Sequence, residues 1–124
     1  MIANSTHRIL IVDDEHAIAD TLALVFKAMG YEAKAAYDAE AALVLLQSFP
    51  ADLAVCDVML PGMNGVALAT FINATYPNCR VLLISGHPGT ADIIRDAEGR
   101  GQVFELMAKP FHPTELLARV SAPN

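Results

Sequence analysis

The chain has 124 residues, and 8 lysines and arginines against 14 aspartates and glutamates give it a formal charge of −6. That length suits one compact domain, and 54% hydrophobic residues suffice for a real core, which excludes a disordered chain and a disulfide-built miniprotein. The acid excess argues against binding a nucleic-acid backbone; metal ions and cationic partner surfaces suit the charge better.

The start of the chain lacks the charged-then-apolar layout of a signal peptide. The first apolar run is Ile9-Leu10-Ile11-Val12, which ends abruptly at Asp13-Asp14. Ile18, Leu22, Val25 and Met29 recur at helical spacing after it, and Gly30 supplies a C-cap. Tyr31 to Ala35 reads as a weaker strand, and Asp38 caps a helix carrying Ala42, Leu46 and Phe49 that Pro50 closes. Leu53-Ala54-Val55-Cys56 is the third buried run, and it too ends on a carboxylate, Asp57.

A turn-rich Pro61-Gly62-Met63-Asn64-Gly65 follows, then a helix with Leu68, Phe71 and Ile72 on one side. Val81 to Ile84 is the fourth strand, leading into Ser85-Gly86-His87. Thr90 caps a short helix through Ile93, Ile94 and Ala97, which Gly99 and Gly101 interrupt and fray. Val103 to Ala108 makes the fifth strand, ending at Lys109-Pro110, and Thr114 to Val120 makes the last helix. All apolar runs fall far short of the ~20 residues of a membrane span. Cys56 and Cys79 form no CxxC pair or Cys/His cluster and read as reduced core thiols.

Strands apolar on both faces and separated by helices imply a parallel sheet covered on both sides: a small, doubly wound α/β domain of five units. Such sheets bind ligands at the carboxyl ends of their strands. At those ends stand Asp13 and Asp14, Asp57, Ser85 and Lys109. Two carboxylates ~4 Å apart repel by about 4 kcal/mol at an effective dielectric near 20, so a hard divalent cation with oxygen ligands is the natural compensation. A carboxylate can also be the nucleophile of phosphoryl transfer, with an amine and a hydroxyl stabilising the transferred group.

Val12-Asp13-Asp14-Glu15, the segment Asp57 to Gly65, Ile84-Ser85-Gly86 and Lys109-Pro110-Phe111 together resemble the receiver domain of bacterial two-component response regulators. The resemblance runs over about residues 8–120 of a single domain. It implies a flavodoxin-like (βα)5 fold with sheet order 2-1-3-4-5 and a cis peptide between Lys109 and Pro110. It makes Asp57 the phosphoacceptor for a histidine kinase or histidine phosphotransfer protein. Asp14, Asp57 and the Met59 backbone carbonyl would hold Mg²⁺, with Asp13 acting through a bound water. Ser85 would move toward the phosphoryl group and Lys109 would pair with it.

The implied function is a cytoplasmic signalling switch rather than an enzyme. Its only chemistry is self-catalysed phosphoryl uptake and hydrolysis, and phosphorylation changes partner binding. The output partner is unassigned, and the chain is either a stand-alone receiver or part of a longer protein. It acts on no nucleic acid or membrane by itself, as a monomer or a weak dimer.

Each site residue also has a plainer reading. Asp13 and Asp14 could cap a helix, Ser85 could be a loop hydroxyl, Lys109 a solvated amine, and Gly62 and Gly65 simple turn residues. Their joint occurrence at strand ends favours the site. His87 is placed to overhang the phosphoryl group, with a loop histidine as its plain alternative, whereas His7, His16 and His112 read as incidental.

The position three before the lysine often holds a switching aromatic in receivers; here it is Leu106, with Phe104 two residues earlier. Signalling is therefore expected to rest on reordering of residues 85–101. Arg119 could join the charged dimer face of DNA-binding regulators, but Val103 and Phe104 stand where its acidic partners would be, so that dimer is not expected. A phosphatase using an aspartyl phosphate would want an acid at Met59, and a nucleotide or flavin site would want a glycine-rich loop where Asp13-Asp14-Glu15-His16 stands. A phosphorylation-independent binding module would be expected to have lost some of the five pocket residues.

Overall fold

Each apolar run becomes a strand and each helix-period segment a helix, in strict alternation. The computed structural model describes residues 7–86 and 90–121. Strands β1 (Arg8–Val12), β2 (Glu32–Ala36), β3 (Leu53–Asp57), β4 (Arg80–Ser85) and β5 (Glu105–Ala108) alternate with helices α1 (His16–Ala28), α2 (Ala39–Leu46), α3 (Gly65–Thr75), α4 (Thr90–Gly99) and α5 (Pro113–Ser121). Every pairing is parallel and the sheet order is β2-β1-β3-β4-β5, as expected.

Alternation along the strands explains why the runs are apolar throughout. Ile9, Ile11, Leu53, Val55, Leu82 and Ile84 face α1 and α5, meeting Phe26, Leu116 and Val120. Leu10, Val12, Ala54, Cys56, Val81 and Leu83 face the other way, onto Leu46, Leu68, Ile72 and Ile94 of α2, α3 and α4. Both cysteines are buried and free. Burial pushes the Cys79 thiol up to about 12 and Cys56 higher still, so both stay neutral. Among the described residues no helix is long and apolar enough to cross a membrane.

The strand order brings the polar strand ends together. Val12 lies opposite Cys56, so residues 13 and 57 leave the sheet side by side. Asp57 pairs with Ile84, and Ser85 with Ala108, which places β4 and β5 next along the same edge. Side-chain caps fix where the neighbouring helices start. The Ala41 N–H donates to Asp38 Oδ1 (2.7 Å) and the Ala67 N–H to Asn64 Oδ1 (2.8 Å), each cap typically contributing about 1 kcal/mol.

Several elements depart from the sequence pattern. The buried stripe of α1 is Ala19, Leu22, Ala23 and Phe26, whereas Met29 is 60% exposed. Small alanines let this helix approach the sheet, so the buried stripe excludes the bulkier Val25 and Met29. Phe71 of α3 is likewise exposed while Leu68 and Ile72 are buried. The fifth strand starts at Glu105, not Val103, and Val103 is 85% exposed because nothing pairs with it there. Phe104 is half-buried against the α2–α4 side of the core. Helix α4 is short and ends at Gly99, as expected, and its end is closed: the N–H groups of Gly101 and Gln102 donate to the carbonyls of Glu98 and Ala97. Gly101 makes this closure possible with φ +82°, a left-handed conformation that glycine adopts without steric cost.

One tertiary ion pair pins β4, β5 and α5 together. Arg80 donates to both oxygens of Glu105 at 2.7 Å, and to the Arg119 carbonyl at 3.0 Å. These hydrogen bonds hold the Glu105 carboxyl below its ordinary pKa against the opposing effect of burial. A depressed carboxylate pKa stabilises above the unfolded value, and the benefit is lost as pH falls through the folded one. Arg80→Ala is expected to cost about 2 kcal/mol at neutral pH, less than the roughly 3–5 kcal/mol of a fully buried pair, because Glu105 keeps some water contact. Urea melts should show that penalty, and the gap between wild type and Glu105→Gln should close in acid.

Candidate functional site

Four carboxylates and one amine meet at the carboxyl edge of the sheet. Lys109, just past β5, places Nζ 3.0 Å from Asp13 Oδ2, 3.1 Å from Asp57 Oδ2 and 3.8 Å from Glu15 Oε1. Asp13 and Asp57 are buried, at 4% and 1% exposure, so they need these partners. Their second oxygens accept backbone N–H groups two residues on: Glu15 N to Asp13 Oδ1 at 2.9 Å and Met59 N to Asp57 Oδ1 at 3.1 Å. Both turns thus aim a carboxylate at a common point, which a strand followed by a plain loop would not do.

Burial works against the Lys109 ammonium, but hydrogen bonds from it to Asp13 and Asp57, and the charges of both, outweigh burial and raise its pKa. Lys109 therefore stays protonated and cannot serve as a base at neutral pH. Its stem runs against Gly86, where a Cβ would lie 2.8 Å from the lysine Cβ and 2.9 Å from its Cδ. The Lys109–Pro110 peptide is cis, as the resemblance implied.

Asp14 is exposed, and carboxylate oxygens of Asp13, Asp14 and Asp57 all lie within 4.8 Å of one another. One ammonium does not balance this many carboxylates, and Asp14 makes no hydrogen bond with a described residue. Three hard oxygen donors, one facing solvent, suit a divalent cation that keeps several waters; the donor set fits Mg²⁺. Among the described residues it includes no nitrogen or sulfur ligand of the kind zinc prefers.

Ser85 stands at the same edge, but its hydroxyl is hydrogen-bonded to Thr90 Oγ1 at 2.5 Å rather than to a site carboxylate. Thr90, expected as a cap, is the first residue of α4 and is buried. Met59 carries the N–H that holds Asp57, and its side chain is exposed. Leu106 lies half-buried against the α2–α4 side of the core and pairs with Leu83, with no hydroxyl or ring to offer. His87 lies outside the described residues.

The pattern of the sequence missed two side-chain arrangements beside the site. His16 stacks on Tyr37 at 3.7 Å between ring centroids, and the Tyr37 hydroxyl donates to Asp20 Oδ1 at 2.6 Å. That hydrogen bond raises the Tyr37 pKa. His16 thus ties the start of α1 to the residue that follows β2, a structural contact. The Ser85–Thr90 pair is the second; only the adjacency of β4's end and α4's start reveals it.

Comparison with known proteins agrees with this fold. The family model described as the response regulator receiver domain matches residues 9–121. The chain is 32% identical to the DNA-binding response regulator MtrA of Mycolicibacterium smegmatis over 93% of its length and 49% of that protein. It is 38% identical to the regulatory protein VanR of Enterococcus faecium over 93% of its length and 48% of VanR. The chain therefore spans about half the length of these curated relatives. Among solved structures, a CheY-like receiver domain protein from Methanospirillum hungatei JF-1 superposes with a TM-score of 0.81 at 28% identity, covering 94% of this chain and 91% of that one.

Proposed function

The chain belongs to the response regulator receiver domain family, and from that premise we propose that it is a phosphorylation-controlled switch whose phosphoacceptor is Asp57. The observation that carries the reading is the buried Asp57 carboxylate, held 3.1 Å from Lys109 Nζ and within 4.8 Å of the oxygens of Asp13 and Asp14.

In the proposed reaction, an Asp57 oxygen attacks the phosphorus of a phosphohistidine on a kinase or phosphotransfer protein. The P–N bond breaks, the imidazole leaves with its electron pair and takes up a proton, and an acyl phosphate forms on Asp57. The backbone N–H of Met59 fixes the carboxylate while Lys109, already on Asp57, pairs with the phosphoryl oxygens as they arrive. Ser85 would supply the remaining donor. Asp14, Asp57 and the Met59 carbonyl would hold Mg²⁺, with Asp13 acting through a water. The bound ion would neutralise charge gathering on the phosphoryl oxygens. Water attacking the phosphorus later restores Asp57 and releases phosphate.

This chemistry serves a signal rather than a product. The domain, about residues 8–120, would act in the cytoplasm by changing a partner's or a neighbouring domain's affinity. With Leu106 in place of an aromatic, the change would pass through residues 85–101. The test is incubation with a small-molecule phosphodonor, read as intact mass. A mass gain of one phosphoryl group is expected with Mg²⁺ and none with a chelator. Asp14→Asn should raise the Mg²⁺ needed by about ten-fold or more, because one charge beside a divalent ion is worth several kcal/mol at an effective dielectric near ~20. Uptake that ignores both the chelator and Asp14 would remove the metal-assisted reading.

A further inference from the structure

We propose that Thr90 is a positioning residue for Ser85: its hydroxyl holds Ser85 Oγ on the α4 side of the sheet, in reserve, until a phosphoryl group on Asp57 offers a stronger acceptor. This inference rests on the phosphoacceptor reading of Asp57 and adds a residue to it.

Three observations carry it. Ser85 shares its face of β4 with Leu83, which is buried against the layer of α2, α3 and α4, by the two-residue alternation of a strand. Its hydroxyl bonds to Thr90 Oγ1, and among the described residues it reaches none of Asp13, Asp14 and Asp57. Thr90 is only 2% exposed, so its hydroxyl needs protein partners, and Ser85 is one of them.

A serine hydroxyl carries one proton, and its oxygen can be in one place. To serve the phosphoryl group, Ser85 must leave Thr90 by rotating about χ1, so the Thr90 bond opposes the reaction. An ionised phosphoryl oxygen is a stronger acceptor than a neutral hydroxyl, which lets the exchange proceed once the group is present. Thr90 is also the first residue of α4, so the same bond joins the state of Asp57 to the start of that helix. Loss of the bond removes one tie on the first turn of α4 at the moment Ser85 engages the phosphoryl group.

The experiment measures the rate of phosphoryl uptake from a small-molecule donor at saturating Mg²⁺ by intact mass. Wild type is compared with Thr90→Val, Thr90→Ala, Thr90→Ser, Ser85→Ala and the Ser85→Ala/Thr90→Val double variant. Thr90→Val keeps the shape and removes the hydroxyl. It should speed uptake about five-fold, the factor that corresponds to one net hydrogen bond. Thr90→Ala should do the same through a different packing change, and Thr90→Ser should restore the wild-type rate. In the Ser85→Ala background the valine substitution should have no effect.

Uptake by Thr90→Val and Thr90→Ala at or below the wild-type rate overturns the proposal, as does an equal acceleration with and without Ser85. Wild type that takes up no phosphoryl group removes the phosphoacceptor reading, and this inference with it. Wild-type uptake with silent Thr90 variants removes the Thr90 role alone.

Discussion

Asp57→Asn is expected to take up no phosphoryl group at all while keeping its fold. The Met59 N–H and the Lys109 ammonium donate to different Asp57 oxygens, so the single amide oxygen can replace one of these hydrogen bonds and the amide NH2 faces the other donor. Its charge changes two opposing quantities. Removing a carboxylate from a group of three within 4.8 Å relieves repulsion, while Lys109 loses one of its two close carboxylate partners. These effects oppose each other, and a buried donor left facing the amide nitrogen adds a cost of about 1–3 kcal/mol, so stability should fall by no more than about 3 kcal/mol. The nucleophile, however, is gone: a neutral amide oxygen does not attack phosphorus at neutral pH. Intact mass after incubation with a phosphodonor and Mg²⁺, set beside a urea melt, separates loss of chemistry from loss of fold.

Gly65→Ala should be the most damaging small substitution near the site, costing about 3 kcal/mol or more. Gly65 reads in the sequence as a turn residue, but it is the first residue of α3 and lies against the backbone that carries Asp57. Its N–H donates to the Val58 carbonyl at 2.7 Å. A Cβ there would overlap the Asp57 carbonyl oxygen and lie 2.8 Å from the Val58 Cα. Those are backbone atoms of a strand end buried between β1 and β4, so no flexible side chain can yield. Either α3 shifts away from the sheet or Asp57 moves, and overpacking of this kind typically costs 1–3 kcal/mol even where side chains can adjust. Thermal unfolding should show the loss. Phosphoryl uptake should fall further than stability does, since a displaced Asp57 no longer shares a point with Lys109 and Asp13.

The site was legible because its residues are strand ends. An apolar run that stops on a polar or charged residue marks both the strand and the edge it points to, and this holds for Asp13, Asp57, Ser85 and Lys109 alike. Asp38 as a cap was legible for the same local reason. The errors fall where packing decides. Alanines at 19 and 23 carry little weight in an apolar pattern, yet they line the closest approach of α1 to the sheet. Val103 is as apolar as any strand residue, and its exposure follows from the absence of a partner strand residue. Nothing in the pattern joins Arg80 to Glu105, His16 to Tyr37 or Ser85 to Thr90. Those pairs exist only once the crossover helices have placed distant residues side by side.

The most direct test of the central claim locates the phosphoryl group. Borohydride reduces an acyl phosphate on aspartate to homoserine, so the Mg²⁺- and donor-treated protein can be reduced, digested and mapped by mass. The account predicts homoserine at position 57 alone, absent when Mg²⁺ is chelated. Conversion at Asp13 or Asp14, a phosphate retained on Ser85, or no modification at position 57 would contradict it.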